Sequence, residues 1–167
     1  MRPMKKILIA FYSKDGNTKR MAELLRDKVN GDLYEIKVNR HYSDNDWTAM
    51  DEANAEIKNH DLPPVTSPEI DVSPYDVVLI GGPVWGWTLS TPLMSFLQKT
   101  DFKGNRVSAF WTFYDHDEQY DKTMKAMIKN GDYCSGLPMP RNLVNNRSRL
   151  NKAIDDWLMQ IEETKGE

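Results

Sequence analysis

Two runs constrain the fold of this chain more than any other feature: "ILIAFY" at residues 7–12 and "DVVLIGG" at residues 76–82. Both are almost wholly apolar, without the alternation of a strand that has one wet face. A strand of that kind is covered on both sides, the mark of a parallel sheet enclosed by helices. Helix-patterned stretches separate such runs. The predicted strands are 7–12, 33–38, 76–82, 106–111 and 133–137; the predicted helices are 18–29, 46–58, 90–99, 117–129 and 149–162. Apolar stripes support the helices: Met21, Leu25 and Val29; Trp47, Met50, Ala53 and Ile57; Tyr120, Met124, Met127 and Ile128; and Leu150, Ile154, Trp157, Leu158 and Ile161. "GD" at Gly31 and Asp32 ends the first helix, and Thr91 is placed to cap the third, with Pro92 at its first position. The proline-rich, polar segment 59–74 reads as loose. Five rounds of strand and helix predict one α/β domain, residues 1–167. Its expected form is a doubly wound five-stranded parallel sheet with helices on both faces.

Composition narrows the function. A net charge of −3 gives no support for binding nucleic acid, which calls for a basic patch. A single cysteine excludes an internal disulfide and fits a reducing compartment. The apolar run near the N-terminus is too short for a signal peptide or a membrane span, so the expectation is a soluble, cytoplasmic protein. His41, His60 and His116 are scattered, without the spacing of metal ligands. Cys134 reads as a small buried residue on the fifth strand and lacks the C-x5-R neighbourhood of a phosphatase loop.

In doubly wound sheets ligands sit beyond the C-terminal strand ends, where strand order reverses. Three loops therefore matter. The first, Ser13 to Thr18, joins a strand end to a helix N-terminus, whose backbone N–H groups and dipole favour an anion. Gly16 permits a tight turn, and Ser13, Asn17 and Thr18 can donate to phosphate oxygens. The plain alternative is a helix start and nothing more. The second loop, "GGPVWGWTLSTP", carries Trp85 and Trp87, two indoles suited to stacking on a flat ligand unless one covers the core edge. The third offers Thr112, Phe113 and Tyr114 for the ligand's other face. Asp115, Asp117 and Glu118 there either form an acidic rim or complement the next helix. The acidic pair of a response-regulator receiver, the GK[ST] of a nucleoside-triphosphate loop and the GxGxxG of a dinucleotide fold are all missing.

Taken in order, "YSKDGNT", "YDVVLIGGPVWGW" and "DFKGNRVSAFWT" resemble the flavodoxins, and more closely the bacterial flavodoxin-like proteins with "SRTGNT"-type phosphate loops. The helix at 46–58 followed by "SPEI" is similar to that subgroup as well. The resemblance implies strand order 2-1-3-4-5 and the cofactor FMN. Ser13, Lys14, Asp15, Gly16, Asn17 and Thr18 would surround its phosphate. Pro83, Val84, Trp85, Gly86 and Trp87 would border its ring, and Thr112, Phe113, Tyr114 and Asp115 would close the other side. In the family a backbone carbonyl of the second loop turns toward the reduced ring, a role for which Gly86 is suited.

Two departures stand out. Asp15 replaces the usual Thr or Ser, and the tryptophans are split as Trp85, Gly86, Trp87 rather than adjacent. A carboxylate about 4 Å from a phosphate would cost from about one to several kcal/mol, depending on the local dielectric. The side chain can escape by turning outward or by accepting N–H groups of the helix start. The resemblance leaves two main functions. One is a small electron carrier, monomer or homodimer, that serves a redox partner protein, either a reductase or an acceptor. The other is an FMN-dependent NAD(P)H oxidoreductase, often a homodimer, that passes electrons to a quinone or similar small acceptor. Asp115, Asp117, Glu118 and Asp121 favour the carrier, while the modest net charge leans away from a strongly acidic one. An FMN-binding regulatory module without turnover is a weaker third.

Overall fold

Residue parity along three strands divides the interior into two apolar layers. The computed structural model describes residues 5–163. In β1 (Ile7–Phe11), Leu8 and Ala10 face one layer while Ile9 and Phe11 face the other. In β3 (Val77–Trp85), Val78 and Ile80 oppose Val77 and Leu79 in the same way. In β5 (Arg106–Phe113), Val107, Ala109 and Trp111 oppose Phe110. Strands covered on both faces explain the unbroken apolar runs of the sequence.

The strands pair in parallel. β2 (Asp32–Glu35) lies against β1, β1 against β3, and β3 against β5. The far edge is shared by β6 (Asp132–Tyr133) and β7 (Leu137–Pro140), both parallel to β5. A short β4 (Thr88–Leu89) folds back antiparallel on β3. Among the described residues the sheet thus has seven strands in the order β2-β1-β3-β5-β6, with β4 and β7 off that path. One face is covered by α1 (Asn17–Val29) through Met21, Ala22 and Leu25, and by α6 (Arg147–Glu163) through Leu150, Ile154, Trp157 and Ile161. The other is covered by α3 (Thr91–Lys99) through Leu93, Phe96 and Leu97, and by α4 (Tyr120–Met127) through Tyr120 and Met124. α2 (Asp46–Lys58) packs beside α3, and the one-turn α5 (Arg141–Val144) follows β7. Among the described residues no helix is long and apolar enough to cross a membrane.

Several expectations are corrected. The fifth strand, expected at 133–137, is two short strands because the chain leaves the ladder between them. There Ser108 Oγ donates to the carbonyls of Cys134 and Ser135, at 2.9 and 3.1 Å, and the Gly136 N–H donates to Asp121 Oδ1 at 3.0 Å. A methyl group on Gly136 would lie 2.5 Å from the Ala109 carbonyl oxygen and 2.4 Å from Trp111 Cζ3, so the close approach requires glycine. The second strand ends at Glu35 rather than at 38, and β3 runs on to Trp85 as a hairpin arm. The fourth helix is shorter than 117–129. The first helix turns off at Asn30, whose left-handed φ of 52° does the work expected of Gly31. Thr91 does not cap α3: Ser90 holds the cap position, and Thr91 Oγ1 donates to Glu56.

The stripe expected on α2 holds only in part: Ala53 is buried and Met50 half-buried, but Trp47 and Ile57 are not packed. Ala49, Ala53 and Glu56 are buried, whereas Trp47 is 76% exposed and Ile57 faces solvent. Segment 59–74 is pinned, not loose. The Thr66 N–H donates to the Lys37 carbonyl, Tyr34 donates to the Pro68 carbonyl, Asn105 Nδ2 donates to the Val72 carbonyl, and Val72 is buried.

Candidate functional site

The C-terminal ends of β1, β3, β5 and β7 share one rim, and a cavity of about 410 Å³ opens there. The loop after β1 forms one end. Gly16 takes φ 93°, and its N–H donates to Ser13 Oγ at 3.0 Å. The turn aims the N-terminus of α1 at the cavity, and no side chain caps it. Ser13, Lys14, Asp15, Asn17 and Thr18 line this end, together with Arg20 from the next turn. Thr18 is buried and its hydroxyl meets that of Thr112 at 2.9 Å, which ties the first loop to the end of β5. Asp15 lines this end from its solvent side. Its side chain is 62% exposed and lies 3.5 Å from Lys14 Nζ. Ser13, not Asp15, takes the Gly16 N–H.

The loop after β3 is a tight hairpin. Val84 pairs with Leu89 and Trp85 with Thr88, which leaves Gly86 and Trp87 as the two turn residues. Both have positive φ, 56° and 69°, as a two-residue hairpin of primed type requires. Glycine accepts this freely; for a bulky side chain such as Trp87 the conformation costs about 1–3 kcal/mol. Pro83, Val84 and Trp85 line the cavity, but Gly86 and Trp87 do not. Trp87 is 59% exposed, its ring 6.5 Å from His116. Of the two indoles that the sequence offered, only Trp85 faces the cavity.

Thr112, Phe113 and Tyr114 close the other side, and Asp115 stands clear of it. Tyr114 is 64% exposed, with the Arg141 guanidinium 5.5 Å from its ring centre. Asp117, expected at an acidic rim or a helix start, instead accepts from Trp111 Nε1 at 2.8 Å.

The structure adds lining residues that the sequence reading missed. Asp46, Ala49 and Met50 come from α2, and Met139, Arg141, Val144 and Asn145 come from the end of β7 and from α5. The second group was findable, since the last strand also ends at this rim, but the misplaced fifth strand hid it. Nothing in the sequence of α2 signalled that its first turns face a ligand cavity.

Behind the cavity wall lies a buried polar cluster. Glu56 accepts from Arg40 Nη1 at 2.6 Å, from Thr91 Oγ1 at 2.6 Å, and from the Tyr42 hydroxyl at 2.9 and 3.0 Å. Arg40 reaches on to the Asp61 carbonyl and carboxylate. Tyr42 meets Trp85 edge-on with centroids 5.0 Å apart, and Tyr12 meets it at 5.7 Å. Burial, then the carboxylates of Asp15 and Glu56, push the Tyr12 phenol up to about 12. Burial also raises Tyr42, against its hydroxyl contact with Thr91.

The sequence matches the flavodoxin family profile over residues 6–161. The chain belongs to the flavodoxin family. Solved structures similar to this flavodoxin include a flavoprotein from Lactobacillus acidophilus in complex with FMN. That protein is 25% identical, the match covers 92% of this chain and 98% of that one, and the TM-score is 0.77. The apo form of the flavoprotein from that organism is 28% identical over 80% of this chain and 91% of that one, with a TM-score of 0.64. A putative flavoprotein from Bacteroides eggerthii is 25% identical over 90% of this chain and 98% of that one, with a TM-score of 0.72. No curated protein matches the sequence.

Proposed function

We propose that this flavodoxin holds FMN in the rim cavity and serves as an electron carrier. The observation that carries the reading is the pairing of an uncapped helix N-terminus at one end of the cavity with aromatic walls at the other. A phosphate fits the first end. The N–H groups at the start of α1, the Ser13 and Thr18 hydroxyls and the Asn17 amide form a donor set, and Lys14 and Arg20 add positive charge. A flat ring fits the second, between Trp85 on the β3 side and Phe113 and Tyr114 on the β5 side, with Met50 as a soft filler. The volume of about 410 Å³ lies within the range of small-molecule sites. The FMN-bound relative from Lactobacillus acidophilus supports the same cofactor.

Bound there, FMN supplies the redox chemistry. The chain's part is to grip and to shield. The Thr18–Thr112 contact would fix the phosphate end relative to the ring end, and Trp85 and Phe113 would shield the ring from water. The exposed Trp87 and Tyr114 beside Asp115 and Glu118 suit a docking partner protein.

The test is reconstitution of purified protein with FMN, followed by NADPH alone. The expected result is stoichiometric uptake with a flavin spectrum that NADPH leaves unbleached until a flavodoxin reductase is added. No uptake overturns the cofactor assignment. Rapid bleaching by NADPH without a partner overturns the carrier role in favour of the NAD(P)H oxidoreductase.

A further inference from the structure

A carboxylate is an odd choice at position 56. The other buried side chains of α2 are the small Ala49 and Ala53, so an apolar side chain there would add packing where the helix has little. A buried ion pair is a weak source of stability, because desolvation offsets much of its attraction. What the carboxylate does provide is direction. It binds three side chains at once: Arg40 and Tyr42 before the helix, and Thr91 at the start of α3. Of these, Tyr42 leads onward. Its hydroxyl is held by both carboxylate oxygens, and its ring stands at 69° to the Trp85 indole. Tyr12 stands at 87° to the same indole. Trp85 is thus held edge-on by two phenols, while it lines the cavity.

We propose that Glu56 is a positioning residue: through the Tyr42 hydroxyl it sets the plane of Trp85, and so fixes the wall against which the flavin ring lies. The inference rests on the FMN reading above for its consequence, but the linkage itself is a property of the chain. Tyr42→Phe removes only the hydroxyl and keeps the ring. Glu56→Gln keeps the shape but turns an amide toward Arg40 or toward the two hydroxyls. Either change loosens the hold of Tyr42 on the Trp85 plane, while Tyr12 stays in place. Tyr133→Phe is the control: it breaks a bond of 2.6 Å to Asp121, and neither partner lines the rim cavity.

The experiment has two readouts. In apo protein labelled with nitrogen-15, the Trp85 indole N–H signal, assigned with Trp85→Phe, should move or broaden in Tyr42→Phe and in Glu56→Gln and stay in place in Tyr133→Phe. In reconstituted protein the first two variants should weaken FMN binding roughly two- to tenfold, the span of one lost hydrogen bond, and shift a midpoint potential. The control should do neither, even where it lowers the melting temperature. An unmoved Trp85 signal in folded Tyr42→Phe overturns the proposal. So does a Tyr133→Phe variant that weakens FMN binding as much as Tyr42→Phe, since the effect would then be general softening. Wild-type protein that takes up no FMN sinks the function proposed above, whereas the apo signal still decides the linkage.

Discussion

Asp15 shows how exposure can soften the cost of a side chain that looks forbidden in a sequence. Its side chain is 62% exposed and lies beside Lys14, so its charge is reached by water, where screening is strong. Asp15→Thr is therefore expected to tighten FMN binding by less than about tenfold, the ceiling set by a charge near 4 Å in a watery dielectric. The gain should shrink as salt is raised; titrations at low and high ionic strength check both points. Gly86 is less forgiving. At φ 56° an added methyl group strains the backbone by about 1–2 kcal/mol, and it would meet Met50 Cε at 3.3 Å. Gly86→Ala should lower stability by about that amount. It should also move at least one FMN midpoint potential, because the turn borders the ring wall. Potentiometry that finds both midpoints unmoved removes Gly86 from the redox site.

At the level of elements, α2 separates what periodicity can reveal from what it cannot. Its apolar spacing pointed to Trp47, Met50, Ala53 and Ile57 as the packed face; Ala53 is buried there, but with Ala49 and Glu56, while Trp47 and Ile57 face solvent. Trp47→Ala should therefore change stability by no more than about 0.5 kcal/mol in denaturant titrations. Trp157 on α6, buried with its Nε1 donating to Ser108 Oγ at 3.0 Å, should cost about 3–5 kcal/mol when truncated to Ala. The long apolar strands and α1, α3 and α6 were legible because burial on both faces, or on one broad stripe, leaves a mark in composition. The break in the fifth strand was not, because its causes are a serine hydroxyl on another strand and a glycine pressed against Ala109. Likewise the three cavity loops were readable from strand ends and glycines. The α2 wall and Arg141 enter the site only through tertiary placement.

For the molecule as a whole, the buried phenols set an alkaline limit. The folded chain holds the Tyr12 proton up to about 12, and burial raises Tyr42, Tyr120 and Tyr133 as well. A group whose value is raised on folding contributes stability below its unfolded value, near 10, and loses it as pH climbs through the folded value. Stability should accordingly be level up to about pH 10 and fall above it. Absorbance at the tyrosinate band and circular dichroism should then change together rather than in sequence. The five tryptophans mark depth in the same body. Trp47 and Trp87 stand in water, Trp111 and Trp157 lie in opposite layers of the interior, and Trp85 sits at the boundary. Native emission is therefore a sum of red and blue components. An ionic quencher should strip away the outer pair first, leaving a residual glow that reports the two inner layers.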